Sequence, residues 1–240
     1  MATYVISDLH GCKEEFDQML EQIGFNDWDE MWINGDICDR GRLSIPLLQE
    51  IMTYDNMHLI FGNHDVWLAR YIQELIDAKK DNNSVDMTED MMCWLHYNGG
   101  YGTMDQFMDL DFPECYDIKL YLEDKLLYKK LKVNGRKFLL VHAGLPEDFD
   151  PAETHLSEIP EKILIWAHIG LDDNPLTDTT LIVGHTPTFT YGPEFDGKIA
   201  HGKDDTILHI DCGCVYGRSL GCIRLDDMQE FYVPSTYNRR

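Results

Sequence analysis

The sequence predicts an α/β fold in which two mixed β-sheets pack as a sandwich flanked by helices, with a small helical cap insert. Three observations carry that expectation. Strand and helix patterns alternate up to residue 65, short strands dominate from Leu126 onward, and the stretch between them shows helical spacing only.

Thr3 to Ser7 is a short apolar run that reads as a first strand. Lys13 to Ile23 carries Phe16, Met19, Leu20 and Ile23 at helical spacing, and Met31 to Asn34 is a second strand. A helix from about Leu43 to Tyr54 presents Ile45, Leu47, Leu48 and Ile51; a third strand at Met57 to Phe61 and a helix from Val66 follow. Such a β-α-β-α-β order implies a parallel sheet with right-handed crossovers. Asp77 to Ser84 is a polar loop, followed by helical segments at Met91 to Tyr97 and Tyr101 to Leu110, so residues 77–125 read as a cap inserted within a single domain spanning 1–240. Leu127 to Val133 and Lys137 to Val141 flank Asn134-Gly135 as a hairpin. Thr180 to Val183, Thr206 to Ile210, Gly221 to Leu225 and Glu230 to Val233 are expected to complete the second sheet.

Composition narrows the function classes. Twenty basic against forty-three acidic side chains give a net charge of −23, which repels polyanions and argues against nucleic acid or an anionic membrane as partner. The N-terminal segment has no basic region ahead of its apolar run, and no apolar run approaches bilayer length, so a cytoplasmic location is expected. Seven Cys residues without regular spacing read as reduced thiols. Cys212-Gly213-Cys214 is tighter than the usual zinc hairpin and lacks a second pair. Oligomeric state leaves no mark in the sequence.

Polar residues gather at the ends of the apolar runs: Asp8-Leu9-His10-Gly11, Gly35-Asp36-Ile37-Cys38-Asp39-Arg40-Gly41, Gly62-Asn63-His64-Asp65, His142-Ala143-Gly144, Trp166-Ala167-His168, Gly184-His185-Thr186 and Asp211-Cys212-Gly213-Cys214. Open α/β sheets collect their ligand-binding loops at such carboxyl ends. In an extended strand end, Asp8 and His10 point to one face and can chelate one ion. Asp36, Asn63, His142 and His185 extend this to a mixed set of carboxylate, amide and imidazole donors, which suits Mn2+, Fe2+ or Zn2+ better than Ca2+. Two divalent cations against Asp8 and Asp36 leave the centre near about +2, enough to receive a phosphate on an acidic protein. His58, His96, His155 and His201 show no partner pattern. His209 lies two residues before Asp211, close enough to line the cleft, and takes no role. Asn98-Gly99-Gly100 reads as a helix stop.

From Ser7 to Gly217 these motifs, above all Gly-Asp-X-X-Asp-Arg-Gly at 35–41, resemble the phosphoprotein phosphatase family of calcineurin-like metallophosphoesterases, in its short bacterial and phage branch. The resemblance implies that Asp8 and His10 hold one metal, that Asp36 bridges two, and that Asn63, His142 and His185 complete the second. It implies His64 as general acid oriented by Asp39, with Arg40 gripping phosphate oxygens. The cofactor implied is a pair of divalent ions, foremost Mn2+, that activate a bridging water for direct attack on phosphorus. The activity implied is hydrolysis of phosphoserine and phosphothreonine in proteins, and of small phosphoesters.

Some positions depart from the pattern. Relatives carry Trp-X-Arg where this chain has Trp166-Ala167-His168, so His168 or Arg218 is expected to bind phosphate in place of the second Arg. Asp65 replaces the usual Glu, as in the dinucleoside tetraphosphate hydrolases of the same superfamily, and the run from Cys214 to Val233 also looks like theirs. Symmetrical hydrolysis of dinucleoside tetraphosphates is therefore the alternative, although those enzymes have Ala where this chain has Asp39 and Gly-His-Trp where it has Gly184-His185-Thr186. A metal-binding scaffold without catalysis ranks third.

Overall fold

The computed structural model describes residues 1–237 other than Ser84, Asp86 and Lys125. Ser84 ends the expected polar loop and Lys125 the expected cap insert, and both lie outside the described residues. The chain opens with β1 (Thr3–Ile6), α1 (Lys13–Ile23), β2 (Glu30–Asn34), α2 (Ser44–Ile51), β3 (Met57–Ile60) and α3 (Asn63–Asp81). The three strands pair in parallel, Ile6 opposite Ile33 and Ile33 opposite Leu59. Every loop that leaves them therefore emerges at the same end of the sheet.

Next come α4 (Glu89–Met92), a π-helical turn at Cys93–Tyr97, α5 (Tyr101–Asp109) and α6 (Phe112–Tyr121). The hairpin of β4 (Tyr128–Val133) and β5 (Arg136–Val141) turns on Asn134 and Gly135, whose φ of 49° and 84° are the left-handed pair that a tight two-residue turn requires. α7 (Glu161–Trp166), β6 (Thr180–Val183), β7 (Ala200–His201), β8 (Ile207–His209), β9 (Ser219–Arg224) and β10 (Gln229–Pro234) follow. No helix among the described residues is long and apolar enough to cross a membrane.

Two five-stranded sheets form among the described residues, in the orders β10-β9-β1-β2-β3 and β4-β5-β6-β8-β7, each mixing parallel and antiparallel pairs. The strands at Gly221–Leu225 and Glu230–Val233 thus belong to the first sheet, contrary to the sequence expectation. β1 is buried along its whole length, and β9 supplies the partner that its second edge needs, with Ile223 opposite Val5.

Alternation along the strands builds the layers. Val5, Trp32, Ile60 and Ile223 of one sheet face Phe138, Leu140, Ile182 and Leu208 of the other in a single apolar cluster. Their neighbours Ile6, Ile33, Leu59, Leu139, Val141 and Leu181 point outward into the larger cluster shared with the helices. Helix positions also differ from expectation: α2 ends at Ile51, short of Tyr54. α3 starts at Asn63 and not Val66, because the Asp65 carboxylate reaches back to accept the Gly62 N–H at 2.9 Å, and it runs through Asp81 into the expected loop. α6 was not anticipated, since Phe112, Tyr116 and Leu120 are exposed on it and blur its apolar face; the reciprocal Asp111–Glu114 capping box starts it.

Asn34, fully buried at the end of β2, joins the sheets directly. Its amide nitrogen donates to Val141 O at 3.0 Å and Ile182 O at 3.2 Å, both across the sandwich. Replacing Asn34 by Ala removes two hydrogen bonds that cross the sandwich, so urea unfolding is expected to show a loss of about 1 to 3 kcal/mol. A change within about 0.5 kcal/mol would show that the sheets do not depend on this tie.

Candidate metal centre

The loops after β1, β2, β3, β5, β6 and β8 converge at one end of the sandwich. Backbone hydrogen bonds zip the first two together: Asp8 N to Gly35 O at 3.0 Å, His10 N to Asp36 O at 2.8 Å and Gly11 N to Ile37 O at 2.8 Å. Asp8 and His10 are not in an extended strand end. β1 stops at Ile6, and both residues are left-handed with φ of 53° and 42°; it is this zipped turn that aims them inward. Asp36, Asp39, Arg40 and His185 are left-handed as well, at 59°, 73°, 62° and 65°, a concentration of strained backbone typical of functional loops.

Asp36 is the meeting point. Its Oδ2 lies 3.5 Å from His10 Nε2, 3.4 Å from His142 Nε2 and 3.9 Å from His64 Nε2. His10, Asp36 and His64 present ligand atoms within 4.8 Å of one another, and so do Asp36, His142 and His185, so that the aspartate belongs to both groups. Each surrounding ring is oriented from behind. His10 Nδ1 donates to Cys38 O, His142 Nδ1 to Asn34 O, both at 2.8 Å, and His64 Nδ1 to Asp39 Oδ2 at 2.7 Å, which leaves every Nε2 turned toward Asp36. His185 lies 3.1 Å from Asn63 Oδ1 through Nδ1, and its backbone N–H donates to Asp8 Oδ2 at 3.1 Å. Ser7 Oγ donates to the same Asp8 oxygen. Close approach demands glycine here: a Cβ on Gly184 would collide with Asp8 Oδ2, and one on Gly35 with His142 Nδ1.

The electrostatics of this cluster call for positive charge. Burial raises the Asp8 pKa to about 7, with His142 pulling it down and Asp36 pushing it up. Burial and then Asp8 hold Asp211 well above the carboxylate range. His142 is lowered by burial but raised more strongly by Asp36 and Asp8, to about 10. Burial raises Asp36, yet His142, His64 and His10 overcome it and keep the carboxyl well below its usual value. Among the described residues the buried His64 Nε2 has no hydrogen-bond partner, and the buried His142 Nε2 has only Asp36 Oδ2 at 3.4 Å. Imidazole lone pairs and carboxylate oxygens gathered out of water, short of donors, are a donor set that divalent cations satisfy, so the residues fit a metal centre.

Asp39 does more than touch His64. Trp94 Nε1 donates to its Oδ2 at 2.7 Å and Thr103 Oγ1 to its Oδ1 at 2.5 Å, while its own N–H is held by Ser44 Oγ at 2.9 Å. Trp94 and Thr103 come from the helical segment and carry no motif, so nothing in the sequence marks them. Arg40 Nη1 approaches His10 Nε2 at 2.8 Å, its guanidinium lies 5.7 Å from the Tyr216 ring, and its backbone N–H is fixed by Gly99 O at 3.2 Å. The Asn98-Gly99-Gly100 stretch is thus a clamp on Arg40 as well as a helix stop. Asp65, read from sequence only as a marker, accepts the N–H groups of Asp36 at 2.7 Å and Ile37 at 3.0 Å.

His168 is exposed at the rim, 3.0 Å from Thr186 Oγ1 and with its ring 5.3 Å from His185. Arg218 pairs with Asp196 and covers Phe189 at 5.3 Å, so the structure partners its charge outside the Asp36 cluster. His58 stacks on Trp32, His96 bonds to Tyr101 at 2.8 Å, and His201 bonds to Asp205 at 2.7 Å. His209 is buried against Tyr191.

Residues 1–210 match the calcineurin-like phosphoesterase family. The chain is similar to a symmetrical bis(5'-nucleosyl)-tetraphosphatase of Marinomonas sp. (strain MWYL1), at 29% identity over all of this chain and 99% of that one. Among solved structures it resembles a protein serine/threonine phosphatase from Saccharomyces cerevisiae with similarity to human phosphatase PP5, at 16% identity and a TM-score of 0.60, covering all of this chain and 81% of the other. It also resembles a metallophosphoesterase from Sphaerobacter thermophilus, at 16% identity and a TM-score of 0.56, over 99% and 89% of the two chains. Those structural likenesses speak for the fold, and the family match covers nearly every loop that brings a donor to Asp36: this chain belongs to the calcineurin-like phosphoesterases and is a hydrolase of the metallophosphoesterase class.

Proposed function

We propose that this chain hydrolyses dinucleoside polyphosphates, cleaving dinucleoside tetraphosphates symmetrically into two nucleoside diphosphates. The observation that carries phosphoester chemistry is Asp36 shared by two groups of largely buried donors. The substrate is suggested by the full-length similarity to a symmetrical tetraphosphatase, which moves that activity ahead of protein dephosphorylation.

In this reading Asp8, His10 and Asp36 hold one divalent ion, and Asp36, Asn63, His142 and His185 the other, with Mn2+ the foremost candidate. When bound, the ions supply Lewis acidity and positive charge against the phosphate chain. Arg40 places its planar fork on phosphate oxygens, released from His10 and steadied by Tyr216 and Gly99. His168 at the rim and Arg218 farther out are the remaining candidates for contacts to phosphate. His64 turns Nε2 to donate a proton to the departing oxygen, and Asp39 fixes the ring through Nδ1. Water is excluded from that pair, since both side chains are fully buried.

The buried Asp39–His64 pair favours a second reading, hydrolysis of phosphoserine or phosphothreonine. A departing alkoxide needs a proton far more than a departing nucleoside diphosphate does. With Mn2+ supplied, diadenosine tetraphosphate is expected to exceed a phosphoserine peptide in kcat/KM by at least about tenfold, or about 1.4 kcal/mol in transition-state stabilisation. A reversed order would install the second reading. His64→Ala is expected to cost about 10²- to 10⁴-fold on an alkyl phosphate and much less on p-nitrophenyl phosphate. Equal losses on both would remove His64 from proton donation.

Metal binding offers a separate check. A proton on His142, held there by Asp36 and Asp8 up to about pH 10, must leave before Nε2 can ligate. Affinity for Mn2+ should therefore climb as pH rises toward about 10. At about pH 8, calorimetry in buffers of different ionisation enthalpy should show proton release that is diminished in His142→Gln. Unchanged release in the variant would mean that His142 does not ligate.

A further inference from the structure

Apart from the Asp36 cluster, one other group of side chains among the described residues has the spacing of a cation site. Cys12, Glu15 and Cys214 place two sulfurs and a carboxylate oxygen within 4.8 Å of one another, all three residues at 2% exposure or less. Cys12 precedes the first turn of α1, Glu15 lies in that turn, and Cys214 opens a short 3-10 turn after Asp211. The two cysteines are about two hundred positions apart in the chain, so no sequence pattern unites them.

The carboxylate is the telling member. Glu15 Oε1 accepts from Thr236 N at 2.6 Å and Thr236 Oγ1 at 2.7 Å, but no described ion pair involves Glu15, and a buried carboxylate without a cation is costly. Beside it the buried Tyr237 hydroxyl has no side-chain hydrogen-bond partner among the described residues, and its neighbours are Cys12, Glu15 and the Arg42 backbone. A cavity of about 30 Å³ reaches Glu15, Gly11, Thr236 and Tyr237 from the surface, with Arg42 at its mouth, 5.0 Å over the Tyr237 ring. That volume admits a single ion or water.

We propose that Cys12, Cys214 and Glu15 bind one thiophilic divalent cation, with Zn2+ the best match, and that Tyr237 or a water from the cavity completes a tetrahedron. Metal–sulfur bonds of about 2.3 Å set the sulfurs about 3.8 Å apart in that geometry, and the two sulfurs already lie within 4.8 Å of each other. Binding releases the two thiol protons to solvent and leaves the site with one net negative charge, which Arg42 faces. The cation would pin three segments to one another: the loop that carries His10, the loop that carries Asp211, and the chain after β10. Its role is structural, and it holds whichever phosphate compound the enzyme cleaves.

Cobalt distinguishes this site from the catalytic one, because only thiolate ligands give near-ultraviolet ligand-to-metal charge transfer. Full-length protein preloaded with Mn2+ and titrated with Co2+ should develop that absorption, saturating at one equivalent and bleaching on addition of Zn2+. Cys12→Ser and Cys214→Ser should each abolish it, and Cys93→Ser, on the surface, should leave it intact. No absorption in the wild type, or absorption that survives in both serine variants, overturns the proposal. X-ray absorption of the zinc-loaded wild type decides the matter independently of how the variants fold: two sulfur neighbours at about 2.3 Å support the site, and none refutes it. A Cys12–Cys214 disulfide found by mass spectrometry in protein prepared without reductant would refute it too, by making the pair a redox couple.

Discussion

A carboxylate that must stay ionised away from water sets the terms for the rest of this molecule. Asp36 sits at the carboxyl end of a central strand, in a left-handed backbone, with its N–H anchored by Asp65 and three imidazoles arranged around its outer oxygen. His10 and His142 arrive on loops of the two sheets, and His64 and Asp65 together at the start of α3, so the charge is tolerated only when both sheets and α3 are in place. Burying such a group is costly unless its surroundings compensate, and here the compensation comes from the same imidazoles that form the candidate metal centre.

The helical segment between the sheets enters this arrangement through Asp39. Trp94 and Thr103 occupy its two oxygens, and Gly99 fixes the backbone of the next residue, Arg40. A covering element over an active site is often pictured as a mobile lid. In this chain it is bonded to the residue that orients His64 and to the residue that carries the guanidinium, and so acts as part of the wall. Asn34 has a comparable double duty, its amide linking the two sheets and its carbonyl setting the His142 ring.

Much of this was legible in the residues themselves. The parallel unit up to α3 follows from apolar spacing, and the polar motifs fall after strands as an open α/β sheet requires. What escaped was non-local. Alternation shows that Gly221 to Leu225 makes a strand, but not that its partner is β1, since pairing is decided by which buried edge lacks one. The convergence of Asp8 and His10 was attributed to an extended strand end, while the structure uses a left-handed turn zipped to the Asp36 loop; residue types do not disclose φ. Trp94 and Thr103 look like ordinary helix residues until Asp39 is placed beside them, and Cys12 finds Cys214 only through the fold.

Six non-glycine residues of the candidate site share a backbone conformation that disfavours a Cβ, by roughly 1 to 2 kcal/mol each. Glycine would relieve that strain at any of them and would remove from the cluster the side chain it carries. Sequence drift toward greater stability therefore works against the candidate site. An inactive descendant of this enzyme would be the more durable protein, and durability alone could never have selected the loops it has.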